Sequence, residues 1–486
     1  MKHSDIIIIG GGAAGMMAAY GAASELRRSS AGKDTQVPEV TVLEKMPRPG
    51  RKIMITGKGR CNITTTRGWQ DFSSHIHPKP NPLKMAFYNF STGDTVRFFN
   101  EHGLETVEER GERVFPASQK AADVVDTLYK AASEAGAIFE TGCEVTDITV
   151  EAKDIAAEDT DTAAEDTGKD GAADMSRFRI TCADGRKFSC RKLIITTGGL
   201  SYPGTGSTGD GYRWAESLGH TVSRCFPSLT AVVPEGYKAA GNISSKGGND
   251  MMGLSTDGSD KRLKGHIDRS TPLSETGSAL NGNQLKNIGL TLFIDGSPVQ
   301  EEFGDIDFTD GGLEGPVGFK ISRRCVNAIL NGSRASISID LKPAVSPDAL
   351  SKRIDSLWKE IAADRRSQGK SYSDRFKVLL GKVLPMSLIK GFIRCSQRLD
   401  HRNLASALKN WKMDIKGYVG FERCVITAGG VSTAEIVAKT MESKVCPGLY
   451  FAGEILDLDG DTGGFNLQTA FSTGMLAGES AAKALL

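Results

Sequence analysis

An α/β protein is predicted, with a parallel sheet that starts at the N-terminus and carries a nucleotide-binding turn, and with β-rich and helical segments inserted after it. Three observations support this. Ile6, Ile7, Ile8 and Ile9 form an unbroken β-branched run, the pattern of a strand buried on both faces. Gly10, Gly12 and Gly15 follow at the G-x-G-x-x-G spacing and open an Ala-rich helical stretch over residues 14–28. A second strand, residues 39–45, then places an acid, Glu44, at its end.

In such a turn the first glycine permits the tight bend, the second lets backbone approach a pyrophosphate, and the third lets helix pack on strand. The helix N-terminus supplies free N–H groups and positive dipole. Glu44 suits the adenosine ribose, whose two hydroxyls a carboxylate can accept, and an acid there argues against a 2′-phosphate. It stands 29 residues after Gly15, against about 20 in the usual spacing. Residues 29–38, polar and holding Gly32 and Pro38, account for the excess as a lengthened loop.

At 486 residues the chain fits two or three domains. Its 60 basic and 59 acidic residues leave no electrostatic footprint for nucleic acid or an anionic membrane, so a small-molecule substrate is expected. The nine cysteines are scattered and form no C-x-x-C pair, which suggests reduced thiols in a cytoplasmic protein. Asp5 and the run Gly10 to Gly12 interrupt any signal-peptide core, and no window is apolar for the roughly 18 residues of a membrane span. Oligomeric state leaves no trace in the sequence.

After Glu44, residues 50–62 are dense in Gly, Lys and Arg and end in Gly57-Lys58-Gly59-Arg60-Cys61-Asn62. Such a loop suits backbone and guanidinium donors converging on phosphates or on the edge of a flavin. It is not a Walker A loop, because Gly59 and Arg60 follow Lys58 where Ser or Thr is required.

The loop resembles a signature of the HI0933-like flavoproteins, which include BaiN-type bile-acid reductases and aminoacetone oxidases. Residues 196–211 resemble a second signature and residues 448–474 a third, in the family's order. The resemblance implies a Rossmann-like FAD-binding domain with an inserted β-rich domain and a small helical domain. It implies cofactor contacts from Gly10, Gly12, Ala13, Ala14 and Gly15 in the first turn, and from Glu44 and Lys45 at the second strand. Arg51, Lys52, Thr56, Gly57, Gly59, Arg60, Cys61 and Asn62 would contribute from the loop. Val145 would pack on the adenine, and the turn at Thr197, Gly198 and Gly199 would approach the cofactor. From the end of the chain, Gly453 and Glu454 would lie near the ribityl chain. Asp461, Gly463, Gly464, Asn466, Leu467 and Gln468 would open a helix whose N–H groups face the flavin pyrimidine carbonyls.

The remaining elements follow in order. Residues 93–103 read as a helix, Val114-Phe115-Pro116 as a turn, and 121–135 as a helix with Val124, Val125, Leu128 and Ala132 on one face. Strands at 144–150 and 178–182, with a third ahead of Leu193, form a small antiparallel meander. The tract 151–174, almost wholly Ala, Asp, Glu, Thr, Gly and Lys, has nothing to bury and reads as disordered. The FAD domain spans 1–225 and 412–486. A β-rich domain at 226–345, with strands at 229–233, 289–294 and 335–339 and a disordered loop at 236–284, is expected to face the substrate. Asp310 stands in a turn where the family commonly shows His, which puts a proton-transfer role there in doubt. A helical cap at 346–411 starts on Ser346-Pro347-Asp348 and holds helices at 349–366, 372–384, 386–397 and 403–411. Asp457, Asp459 and Asp461 mimic part of a calcium loop, yet Gly460 is out of register and no Glu closes it, so no metal is expected.

Function reads as FAD-dependent hydride transfer. A single dinucleotide fingerprint means that NAD(P)H, as electron donor, would bind only transiently. The resemblance implies NAD(P)H-driven reduction of a conjugated C=C bond in a small apolar, steroid-like substrate. An amine oxidase releasing hydrogen peroxide and a non-catalytic flavin-binding protein are the alternatives. Lys58, Arg60 and Tyr202 are the catalytic candidates: the cations would favour anionic reduced flavin, and the phenol could protonate a substrate carbon.

Overall fold

The computed structural model describes residues 1–32, 36–151, 177–239, 263–396 and 398–486. The chain forms two units, 1–225 with 429–486, and 226–428.

The first unit is built on β1 (Lys2–Ile9), whose Ile6 to Ile9 are all buried. It lies parallel between β2 (Val40–Glu44) and the strand Lys187–Ile195, and Ile138–Thr141 extends the sheet beyond β2. On its far side Lys187–Ile195 has two partners. Its first residues run antiparallel to Phe178–Cys182, which pairs with Val145–Val150, and its last three run parallel to Leu449–Phe451. The third meander strand and the parallel strand after it are therefore one continuous strand, with no Gly or Pro between them to break it.

α1 (Ala13–Ser30) packs along the last helix, Phe465–Lys483, at backbone distance. A Cβ added at Gly474 or Gly478 would overlap the carbonyl oxygens of Ala14 and Ala18, and one at Gly21 would lie 3.0 Å from that of Met475. The two ends of the chain thus form one layer. Thr92–Glu101 is fixed by a capping box between Ser91 and Asp94, and Ala121–Ala135 buries the face read from its periodicity. The turn expected at Val114-Phe115-Pro116 is instead a strand, Arg113–Pro116, between Thr64–Thr65 and Thr106–Glu109. No helix among the described residues is long and apolar enough to cross a membrane.

In the second unit six strands close on themselves: Val232–Pro234, Leu313–Glu314, Ser297–Phe308, Gln284–Ile294, Ala335–Asp340 and Trp411–Val419, which pairs back to Val232. The strand expected at 229–233 starts late because Leu229 has φ 52°. Ser297–Phe308 and the helix Gly315–Leu330 were not foreseen: the first buries little along its length, and the second opens on Gly-Pro inside a turn-like stretch. Helices Pro347–Ala363, Tyr372–Val383, Met386–Cys395 and Leu404–Lys409 form as expected, the first capped by Ser346. They are not a separate cap. Leu350, Phe392 and Leu408 share one core with Ile339 and Trp411, and the boundary expected at 412 falls at 429.

Part of the loop expected to be disordered at 236–284 is ordered. His266–Ile267 pairs with Trp411–Val419, and Glu275–Leu280 is a helix whose cap, Ser274 Oγ, accepts from the N–H groups of Thr276 and Gly277 at 3.0 Å each. Residues 240–262 and 152–176, the latter holding nearly all of the 151–174 tract, lie outside the described residues.

Candidate cofactor site

The three glycines of the first turn do three different things. Gly10 has φ 105°, and a Cβ there would lie 2.7 Å from the Thr196 carbonyl oxygen. At Gly15 a Cβ would overlap the carbonyl oxygen of Gly10 itself, so any side chain would force helix and strand apart. At Gly12 a Cβ meets nothing within 4 Å. Gly12 is the N-cap of α1 and supplies no side-chain acceptor, so the N–H groups of Ala13, Ala14 and Gly15 at the first helical turn have no intrahelical partner. Open space above unsatisfied donors at a helix N-terminus suits a phosphate.

Glu44 ends β2 beside this turn. Its carboxylate oxygens accept from the backbone N–H groups of Gly11 and Met46, both at 2.7 Å. Burial pushes its pKa up, and these two bonds with the charges of Lys45 and Arg51 only partly offset that. A carboxylate offers about four acceptor positions. Two are used, so ribose hydroxyls would share an acid that already fixes the turn. Val145, the expected adenine contact, is buried at the start of its strand, where the pairing with Cys182 is irregular.

The 50–62 loop is tied to the same turn, since Gly50 donates to the Gly11 carbonyl at 2.9 Å. Arg51–Ile55 is a short helix, closed by Thr56, whose hydroxyl donates to Ile53 at 2.7 Å. Gly57, Lys58 and Cys61 then take left-handed backbone. Several side chains expected on the cofactor are engaged within the protein. Lys52 binds Ser201 and Glu454, and Ser201 donates to Glu454 at 2.6 Å, a knot joining three segments far apart in sequence. Lys45 binds Thr208, and Asp210 at 2.8 Å. Arg60 binds Glu109, donates to Gln119 at 2.5 Å, and lies 4.3 Å over the Phe115 ring. Lys58 is exposed. Cys61 is fully buried and its thiol is pushed up to about 12, which removes it as a nucleophile at neutral pH.

The end of the chain returns to this site. Gly453 has φ 81°, its N–H bonds Thr473 Oγ1 at 3.0 Å, and a Cβ there would strike Ala14. Gly464, at φ 95°, caps the last helix without a side chain, so no capping side chain takes the helix's first N–H groups. Asn466 and Gln468 behave differently from expectation. The Asn466 amide bonds both the N–H and the carbonyl of Gly460, at 2.7 and 2.8 Å. Gln468 is fully buried, accepting from Thr64 and Thr95 at 2.6 and 2.8 Å and donating to Phe90 and Ser472. Its side chain is a core brace, not a ligand.

Asp461 is held by His75 at 2.9 Å and His77 at 3.3 Å, and His75 stacks on Phe465. Burial alone would raise its pKa, but the hydrogen bonds and charges of the two histidines outweigh burial and bring it down to about 2. A carboxyl depressed from 3.8 contributes stability above that value, lost as pH falls through about 2. Asp461→Asn is expected to cost about 2 kcal/mol at pH 7 and to flatten the acid limb of a stability profile below pH 4, read by urea melts. An unchanged limb would mean that the histidines do not hold this acid.

Two polar atoms in these stretches are buried without a partner among the described residues, the amide oxygen of Asn62 and the hydroxyl of Thr197. An orphaned buried group costs roughly 1–3 kcal/mol. The Asn62 acceptor, in the first resembling stretch, fits a polar cofactor such as FAD, whereas the Thr197 hydroxyl, in the second, lies against Gly211, where an added Cβ would overlap it beside Ile455 and Ile195. Gly198 (φ 75°) packs against Ser207, and Gly199 follows it in the same turn. Tyr202 is half-buried with φ 52°, its carbonyl taking the N–H and hydroxyl of Thr205 at 2.8 Å each. Arg51 is exposed at the start of its helix, and Leu467 is half-buried. In the second unit Asp310 pairs with Arg423 at 2.5 Å and Arg269 at 3.8 Å. Burial would raise its pKa, and Arg423 holds it below the usual range, so it is an ionised partner of cations and no proton donor.

Ser201, His75, His77, Thr208 and Asp210 went unremarked as partners in the sequence. Three of them, Ser201, Thr208 and Asp210, lie within the second resembling stretch. The histidines meet Asp461 only through the pairing of Ile76–His77 with Asp459–Gly460, which leaves no local signal.

The profile of the HI0933-like protein Rossmann domain matches residues 4–480. The chain is 28% identical over 479 residues to the 3-dehydro-bile acid delta(4,6)-reductase of Clostridium scindens, covering 98% of each. It is 27% identical over 473 residues to the ribosomal RNA dihydrouridine synthase of Escherichia coli, covering 97% of this chain and 96% of that one. The counterpart of that synthase in Haemophilus influenzae is 26% identical over 482 residues, with 97% of each covered. Among solved structures, the 3-ketosteroid-delta4-(5alpha)-dehydrogenase of Rhodococcus jostii aligns over 99% of this chain and 97% of its own, at 13% identity and TM-score 0.42.

Proposed function

Because the chain belongs to the HI0933-like family, we propose that this FAD-dependent oxidoreductase is a reductase that saturates a C=C bond conjugated to a carbonyl, drawing electrons from NAD(P)H. The observation that carries the cofactor is the cradle at Gly12, open to 4 Å above unsatisfied helix N–H groups. The bond type is supported by the relatives' named reactions. A delta(4,6)-reductase of a 3-dehydro bile acid and a dihydrouridine synthase both name the saturation of a double bond conjugated to a carbonyl.

When bound, FAD supplies a hydride from its N5, and on such a bond it is delivered to the carbon β to the carbonyl. The first turn and the N-terminus of α1 would hold the phosphates, Glu44 the ribose, and Asn62 a polar edge of the cofactor. The Lys52–Ser201–Glu454 knot keeps the loop, the turn after Ile195 and the final strand in register. The carbon α to the carbonyl needs a proton, and Tyr202 is this chain's candidate donor, its backbone fixed by Thr205. Arg60, committed to Glu109, Gln119 and Phe115, acts as a brace for the loop.

The substrate we favour is small and apolar, a steroid-like enone. A second reading, uridine in RNA, draws on the two dihydrouridine synthases, against which stands the near-neutral balance of 60 basic and 59 acidic residues. Anaerobic mixing decides. NADH or NADPH is expected to bleach the flavin, and a 3-oxo-Δ4 steroid to restore its colour without oxygen. Restoration by a uridine-bearing RNA alone would select the second reading. Bleaching by amines only, with peroxide released in air, would replace both with an oxidase.

A further inference from the structure

Cys143 and Cys182 place their sulfurs 3.1 Å apart, both buried. Cys143 lies in the turn after Ile138–Thr141, where its N–H donates to the Glu44 carbonyl at 2.9 Å and that of Gly142 to Met46 at 3.2 Å. Cys182 ends Phe178–Cys182 and sits across from Val145. The pair therefore joins the segment bonded to Glu44 and the strand paired to Val145, the two residues expected at the adenosine end of the cofactor. Arg186 closes the arrangement: its guanidinium donates to the Gly142 carbonyl at 2.9 Å and places a positive charge beside both thiols.

We propose that Cys143 and Cys182 are an oxidisable pair whose disulfide locks the adenosine end of the nucleotide site. The sulfurs need to approach by only about 1 Å to reach bonding distance, and the oxidant is a peroxide, small enough for a buried pair. The Cys143 thiolate attacks one peroxide oxygen, an S–O bond forms, the O–O bond breaks and one water leaves. The Cys182 sulfur then attacks the sulfenic sulfur, the S–O bond breaks and a second water leaves. Two electrons pass from the sulfurs to the peroxide, and the two thiol protons end in the waters. Burial pushes both thiols up, Cys182 to about 12, despite Arg186. Oxidation is therefore slow near neutrality and accelerates as pH rises toward the raised thiol values.

The locking role rests on the FAD reading, whereas bond formation does not. The test treats the full-length protein with hydrogen peroxide, alkylates it and maps its peptides without reduction. A Cys143–Cys182 linked peptide is expected, with a loss of about 2 Da, absent in Cys143→Ala and in Cys182→Ala. Recovery of both cysteines unlinked from the oxidised wild type, a result that needs no variant to fold, overturns the proposal. In protein carrying the link, FAD release is expected to be roughly threefold or more slower than after reduction with dithiothreitol, and equal rates overturn the locking role. A preparation that takes up no FAD would refute the flavin reading while the peptide map still decides the pair.

Discussion

Gly12→Thr is expected to fold as well as the native protein and to lose FAD. Gly12 has φ −78° and ψ −167°, extended backbone that any residue adopts, and it is the N-cap of α1. Thr and Gly are nearly equal at that position, so stability should change by less than about 0.5 kcal/mol. The added side chain enters the space where a Cβ meets nothing within 4 Å, above the free N–H groups. A pyrophosphate held there would lose both its room and its donors, and affinity is expected to fall by about 100-fold or more, roughly 2.7 kcal/mol. Binding titration and thermal melts on the same preparation separate the two effects. A yellow, tightly loaded Gly12→Thr protein would place the phosphates elsewhere. Gly15→Ala supplies the contrast: its Cβ would overlap the Gly10 carbonyl oxygen, so it should damage folding itself.

The second large effect is expected at Gly478→Ala. This glycine lies on the last helix, where a Cβ would overlap the Ala18 carbonyl oxygen on α1. Neither atom is the end of a flexible side chain, so the helices must separate. The cost should reach about 3 kcal/mol, a fall in Tm of roughly 6–12 °C for a unit of this size. Glu479→Ala, one residue on, removes a partly exposed pair with Lys483 and a long, exposed hydrogen bond from Asn89, each at 3.4 Å, and should change stability by less than about 0.5 kcal/mol. If the two variants melt alike, the helices do not meet at backbone distance. Because α1 carries the glycine cradle at its N-terminus, Gly478→Ala should also weaken FAD binding.

Much of the scaffold was legible because its signals are local. The β-branched run of β1, the periodicity of Ala121–Ala135 and the cap at Ser346 are each set by a few neighbouring residues and recur as read. Illegible elements had weak or conflicting local signals. Ser297–Phe308 is largely polar and buries little, Gly315–Leu330 opens on Gly-Pro, and Trp411–Val419 follows a helical stretch that masks its start. The helical layer was assigned to its own domain because its sequence cannot show that Leu350, Phe392 and Leu408 pack into the same core as the sheet.

By itself the sequence determined the cradle. A turn that needs positive φ at Gly10, open space at Gly12 and backbone contact at Gly15 can be met by glycine at that spacing and by little else, so chemistry and pattern coincide. Only the tertiary structure decided which polar side chains beside the cradle are left for a ligand. Lys52 meets Glu454 across 402 positions, and Thr64 meets Gln468 across 404. Each buried polar group must find a partner, and no periodicity records a partner so distant. Those pairings turned several expected ligands into braces, while Asn62 Oδ1 and Thr197 Oγ1, both in residues the resemblance implies as cofactor contacts, are buried with no partner among the described residues.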